Sequence, residues 1–169
     1  VAQFAFDKTG TLTDGQQRAQ LVWGTDRSLQ WAAAVENQCQ HPIAQAIVQA
    51  AELSLESASP CEPLPSDDSV WPSGRYVAHG VELAPGCIVG RVGENQVQVG
   101  NASFFEEQGL VVSGEVAELA RQLLSRGETP ILVAVDGAAE GLLGLSDPIR
   151  TQAADVVAQA RRLGWKVGM

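Results

Sequence analysis

The sequence predicts an α+β domain, mainly antiparallel sheet flanked by helices, inserted into an incomplete parallel α/β unit. Three observations carry this. The opening run Val1-Ala2-Gln3-Phe4-Ala5-Phe6 is mostly apolar and suits a strand buried on both faces of a parallel sheet. Near the other end, a helical pattern leads into Lys166-Val167-Gly168-Met169, the beginning of another strand. Between them, strand-like stretches joined by tight turns alternate with helical segments, a mixture that a parallel unit alone does not produce. The expected divisions are 1–16 and 146–169 for the parallel unit and 17–145 for the insertion. The chain therefore reads as a piece of a longer protein, opening inside one strand and closing on another.

The elements follow in order. From Ser28, an expected N-cap, Leu29, Ala32, Ala33 and Glu36 share a helical face. His41-Pro42 interrupts the pattern, and Pro42 suits the first turn of a second helix carrying Ile43, Ala46, Ile47 and Ala50. Residues 57–74, with four prolines among serine and aspartate, predict a loop. Strands are expected over 75–83, 89–92 and 97–100, the last two joined across Gly93-Glu94-Asn95. Ser113 caps a third helix with Val116, Leu119, Ala120, Leu123 and Leu124 at helical spacing, ended by Gly127. Residues 131–135 and 142–145 predict a hairpin turning at Asp136-Gly137. Asp147-Pro148 is expected to open a fourth helix through Ala153, Val156, Val157, Ala160 and Leu163.

Composition narrows the function. With 45% apolar and 18% charged residues, a chain of 169 can bury a real core. A net charge of −9 argues against nucleic acid as a partner, because phosphate contacts need a basic face. Cys39, Cys61 and Cys87 are odd in number and lack Cys-x-x-Cys spacing, which fits reduced thiols better than a disulfide frame. No segment has the length and apolarity of a membrane span, and no signal peptide opens the chain. A Gly-x-x-x-x-Gly-Lys phosphate loop is missing. His79 has no metal-ligand spacing to the cysteines or His41, and the four tryptophans are too scattered for a stacking platform.

Two stretches concentrate the chemistry. In Asp7-Lys8-Thr9-Gly10-Thr11-Leu12-Thr13, Asp7 falls at the carboxyl end of the first strand, where parallel sheets hold ligands. It is placed to act as a nucleophile, with Lys8 as a cation for developing charge and the Thr9-Gly10-Thr11 turn as a source of donors. Phosphatases that discharge an aspartyl-phosphate commonly keep a second carboxylate two residues on. Thr9 stands there, so this site is better suited to forming a phospho-aspartate than to hydrolysing it quickly. In Glu36-Asn37-Gln38-Cys39-Gln40-His41-Pro42, Glu36 ends one helix and His41 precedes the next. A purine needs an acceptor for its exocyclic amine and a flat surface to stack on, and these residues supply one each. On residue chemistry alone, a histidine before a proline is more often a helix cap or a surface residue.

The first heptad resembles the phosphorylation signature of P-type ATPases, whose catalytic domain belongs to the haloacid dehalogenase superfamily. The second stretch resembles the nucleotide-domain motif of their heavy-metal branch. Glu36, His41 and Pro42 match, while Cys39 and Gln40 stand where Ser and Glu are usual. Gly86-Cys87-Ile88 matches the first glycine of that branch's Gly-x-Gly turn, and Gly100-Asn101 matches its Gly-Asn pair in full. Gly127-Glu128-Thr129 with the strand after it, and Leu145-Ser146-Asp147-Pro148, resemble the segments leading back to the phosphorylation domain. Ile88 is expected to keep an extended backbone and floor the pocket.

The resemblance implies ATP and Mg²⁺ as cofactors. It makes Asp7 the phosphorylated residue, with Lys8 and Thr9 in the catalytic turn, and gives Asp7 and Thr9 part of a Mg²⁺ site. Glu36, His41, Gly86, Ile88, Gly100 and Asn101 would line the nucleotide pocket. The implied parent is an integral membrane pump, with this portion on the cytoplasmic side. Its transmembrane, actuator and remaining phosphorylation domains would be partners, and a soft cation the cargo: copper(I) first, with zinc, cadmium or cobalt behind it. The alternative is a soluble haloacid-dehalogenase-type phosphatase or phosphomutase with a cap domain.

Overall fold

The computed structural model describes residues 3–7, 11–57 and 76–168. Strand β1 (Gln3–Ala5) pairs in parallel with β8 (Lys166–Gly168), Phe4 opposite Val167. This is the parallel pairing expected of the two chain ends. The remaining strands form one antiparallel sheet: β2 (Arg18–Gly24), β3 (Ala78–Ala84), β4 (Cys87–Val92), β5 (Asn95–Asn101), β6 (Thr129–Val135) and β7 (Ala138–Ser146), in the order β2-β7-β6-β5-β4-β3. The helices are α1 (Asp26–Glu36), α2 (Pro42–Ser57), α3 (Ala102–Glu107), α4 (Gly114–Ser125) and α5 (Ala153–Arg162).

The sheet is covered on both faces, and β6 shows how. Ile131, Val133 and Val135 point into a core shared with Leu29, Val35 and Ile47 of α1 and α2. Leu132 and Ala134 point the other way, into a core with Phe105 of α3 and Val116 and Leu123 of α4. A strand buried on both sides loses polar alternation and reads as the continuous apolar run seen at 131–135. Two close approaches hold α1 down. A Cβ on Gly90 would lie 3.1 Å from Val35, and one on Gly141 would lie 2.7 Å from the Ser28 hydroxyl oxygen.

Several expectations are corrected. Ser28 is not the cap of α1: Thr25 is, its side-chain oxygen accepting the Ser28 amide while the Ser28 hydroxyl oxygen accepts the Thr25 amide. Two hydroxyl residues three apart form a reciprocal capping box, in which the first is the cap. Residues 18–24, given no element from the sequence, form β2, an edge strand whose partner β7 lies far along the chain. Helix α3 was likewise not foreseen; it is short and starts directly from β5, with Asn101 as its cap. The fourth helix starts at Ala153, not at Asp147-Pro148, because the Asp147 carboxylate is bound elsewhere: it accepts the Thr13 hydroxyl at 2.7 Å and the Gly15 amide at 3.2 Å. The predicted loop overlaps α2 at Ser57, and its residues 58–74 lie outside the described residues.

Both predicted hairpins form, each built by local turn chemistry. Gly93 takes φ 60° in one; Asp136 and Gly137 take φ 49° and 80° in the other, the positive values that two-residue hairpin turns require. Ser113 caps α4 as expected, accepting the Val116 amide.

Candidate nucleotide site

The site begins with two helices meeting end to start. Helix α1 stops at Glu36, and the Cys39 amide donates to the Glu36 carbonyl at 2.8 Å, closing the turn. Gln38 fastens this turn to the sheet, its side-chain amide donating to the Ala78 carbonyl at 2.7 Å. His41 then precedes α2. Its Nδ1 accepts the Ile43 amide at 3.2 Å, so the imidazole caps the helix as well as facing the gap. Pro42 opens α2 as expected, and His41 adds a cap to it.

Opposite lies the turn between β3 and β4. Gly86 takes φ 82°, open to glycine and costly to other residues, and its carbonyl accepts the Asn101 amide at 3.2 Å. Gly100 lets the two backbones come this close: a Cβ there would fall 2.5 Å from the Gly86 carbonyl oxygen. Asn101 uses its side-chain oxygen to accept the Phe104 amide at 2.7 Å and the Ser103 hydroxyl at 3.0 Å. Ile88 sits within β4, paired with Leu83 and Val99, and its side chain is buried.

Between these walls is an open cavity of about 610 Å³. It is lined by all six residues assigned to nucleotide binding from the sequence: Glu36, His41, Gly86, Ile88, Gly100 and Asn101. The sequence reading missed Ile131 and Thr129 of β6, which complete the lining from the middle of the sheet. The β6 run 131–135 is apolar at every position, so its sequence gives no sign of which residues face this side of the sheet.

Glu36 is the unusual group. It is only 9% exposed, and its carboxylate makes no hydrogen bond or ion pair with any described residue. Burial alone pushes its pKa from 4.5 to about 7. Burial also raises the Cys87 thiol to about 11 and, with the Glu36 charge, raises Cys39 as well. Both thiols are free; Cys61 lies outside the described residues.

The structure brings the catalytic set together less fully. Asp7 is exposed directly after the carboxyl end of β1, with the Phe6 amide bonded to the Gly168 carbonyl beside it. Lys8 and Thr9 lie outside the described residues. Among the described residues no three His, Cys, Asp or Glu side chains gather to hold a metal ion, and no helix is long and apolar enough to cross a membrane.

A family model described as haloacid dehalogenase-like hydrolase matches residues 1–169. The chain is 36% identical over 179 aligned positions to a probable copper-exporting P-type ATPase of Archaeoglobus fulgidus, covering 100% of this chain and 19% of that protein. It is 30% identical to a zinc-exporting P-type ATPase of Mycobacterium marinum, over 97% of this chain and 21% of that protein. Among solved structures, a zinc-transporting PIB-type ATPase in its E2.Pi state superposes with a TM-score of 0.71 at 31% identity, over 99% of this chain and 25% of the other. The chain thus spans about a fifth of the length of the curated relatives it matches.

Proposed function

Since the chain belongs to the haloacid dehalogenase-like hydrolase family, we propose that it is the ATP-binding portion of a heavy-metal P-type ATPase, carried with part of that pump's phosphorylation domain. In this reading, 17–145 bind the nucleotide, while 1–16 and 146–169 belong to the phosphorylation domain. The remaining partners are the pump's transmembrane and actuator domains and the rest of its phosphorylation domain, and this portion faces the cytoplasm. Copper(I) is the proposed cargo; the relatives include both copper and zinc exporters.

One observation carries the proposal. Glu36, a residue nine-tenths buried, turns a carboxylate without a partner among the described residues toward a cavity large enough for a purine nucleoside. Burying an ionisable group with nothing to satisfy it is costly unless a ligand completes the site. His41 supplies a ring for stacking, and Ile88, Val99 and Ile131 an apolar floor.

Asp7 is the proposed phosphoryl acceptor. Its exposed carboxylate at the end of β1 is accessible to an incoming phosphate, with Lys8 and Thr9 assigned beside it by the family motif. Mg²⁺ would compensate phosphate charge in such a reaction. The described residues offer it Asp7 without a surrounding ligand set, so no step is assigned to the metal here.

Calorimetric titration with ATP tests the site. The chain should bind ATP, and Glu36→Ala and His41→Ala should each weaken binding by roughly 1–3 kcal/mol, the usual cost of a lost buried hydrogen-bonding or stacking contact. Folded variants that both bind like the wild type would refute it.

A further inference from the structure

Glu36 faces the cavity with no cation to hold its charge. The other ionisable groups of the lining are Cys39 in the turn after α1, His41 at the start of α2 and Cys87 on β4. Strands β3, β5 and β6 bring no ionisable side chain to it, and no lysine or arginine lines it among the described residues. The His41 Nδ1 accepts an amide and so carries no proton in this geometry. Both thiols are held in the neutral form by burial. The surroundings of the Glu36 carboxyl group therefore favour its neutral, protonated state.

That state has a distinct hydrogen-bonding pattern. A carboxylic acid presents one donor beside one acceptor; a carboxylate presents two acceptors. The outer edge of adenine offers an acceptor, N1, beside a donor, the exocyclic amine. It closes a cyclic pair with the acid, whereas a carboxylate would set one oxygen against the N1 lone pair. Guanine offers two adjacent donors on the same edge, N1–H and the 2-amino group, and matches the carboxylate instead.

We propose that Glu36 reads adenine as the neutral acid, donating to N1 and accepting from the exocyclic amine, so that binding an adenine nucleotide takes up a proton from solvent. This rests on the nucleotide reading of the cavity. Because burial places the empty site's carboxyl near 7, about half the sites already carry the proton at neutral pH. The remainder acquire it on binding. Base preference in this pocket is then a function of pH: adenine is favoured on the acid side, and the advantage over guanine narrows as the carboxyl ionises.

The test is calorimetric titration of the chain with ATP and GTP from about pH 6 to about pH 9, in buffers of different ionisation enthalpy. The terminal phosphate of ATP also titrates in this range, so Glu36→Gln serves as the reference; its amide offers the acid's donor and acceptor at every pH. Relative to that variant, wild-type affinity for ATP falls by about tenfold per pH unit above 7, and the binding heat reports proton uptake that the variant lacks. Glu36→Gln binds ATP within about threefold of the wild type at the acid end. Parallel pH profiles for the two proteins, or a Glu36→Gln variant that loses ATP at every pH, would overturn the neutral-acid reading alone. A folded wild type that binds no ATP at any pH would overturn the nucleotide assignment with it.

Discussion

The Thr13 hydroxyl donates to the Asp147 carboxylate at 2.7 Å, joining residues 134 apart in the chain. Around this bond the segments entering β2 and leaving β7 run side by side. The Asp14 amide donates to the Pro148 carbonyl, and the Arg150 guanidinium to the Thr13 carbonyl, each at 2.9 Å. Thr13 is 1% exposed and Asp147 half-buried, so the bond is partly screened from water. A double-mutant cycle with Thr13→Val and Asp147→Ala, read by urea unfolding, should give a coupling of about 1–2 kcal/mol. Strictly additive losses would show that the two segments are held by their backbones alone.

Glu36 should make stability depend on pH. Its folded pKa is raised from 4.5 to about 7, so the folded state binds more protons than the unfolded state between those values. Stability is then greatest below 4.5, falls as pH rises through the window, and levels off above 7. Water entering the open cavity limits the change to on the order of 2 kcal/mol. Glu36→Gln should flatten this part of the profile; an unchanged slope in that variant would mean that another group titrates.

His41 has two separable roles. As the cap of α2, its removal in His41→Ala should cost about 0.5–2 kcal/mol of stability. His41→Asn restores a side-chain acceptor without the ring, so its melting temperature should recover while ATP affinity stays low. Recovery of both would assign His41 to the helix and not to the base.

Gly100→Ala should damage the site through the backbone. The new methyl meets the Gly86 carbonyl oxygen at 2.5 Å, so the β3–β4 turn must shift. A stability loss of about 1–3 kcal/mol is expected, with weakened ATP binding. Gly86→Val strains a φ of 82° and should abolish most binding. Wild-type affinity in either folded variant would remove this turn from the pocket.

Turnover should be absent. Among the described residues no group of three His, Cys, Asp or Glu side chains completes a Mg²⁺ site at Asp7. Purified chain should bind ATP without releasing phosphate. Sustained Mg²⁺-dependent release that disappears in Asp7→Asn would contradict this.

Where the sequence was legible, the controlling physics was local. The hairpin at Asp136-Gly137 needs positive φ at two residues, and those residues announce it. The placing of Glu36 at a helix end and His41 before a helix start was legible from local pattern, whereas their assignment to a nucleotide came from the family resemblance. Strand β2 was not, because its alternating residues are at most half-buried and its partner is more than a hundred residues away. Asp147 looked like a helix opener until Thr13, at the other end of the chain, claimed its carboxylate. The tight passage between Gly100 and Gly86 was equally hidden, since a glycine in sequence does not disclose which backbone comes close to it.

The two-sided burial of β6 also sets how the protein breathes. Opening β6 would expose both cores at once, so its amides should exchange with solvent hydrogen only on global unfolding. Strand β3 is at the opposite extreme, an edge strand whose one strand neighbour among the described residues is β4, with Leu83 80% exposed. The cavity draws its lining from both, Leu83 and Ala84 on one side and Thr129 and Ile131 on the other. It therefore has one wall that fluctuates and one that does not. In the proposed nucleotide site, a base would rest against the β6 wall while the edge strand opens and recloses over it, so entry and release would need no rupture of the sheet.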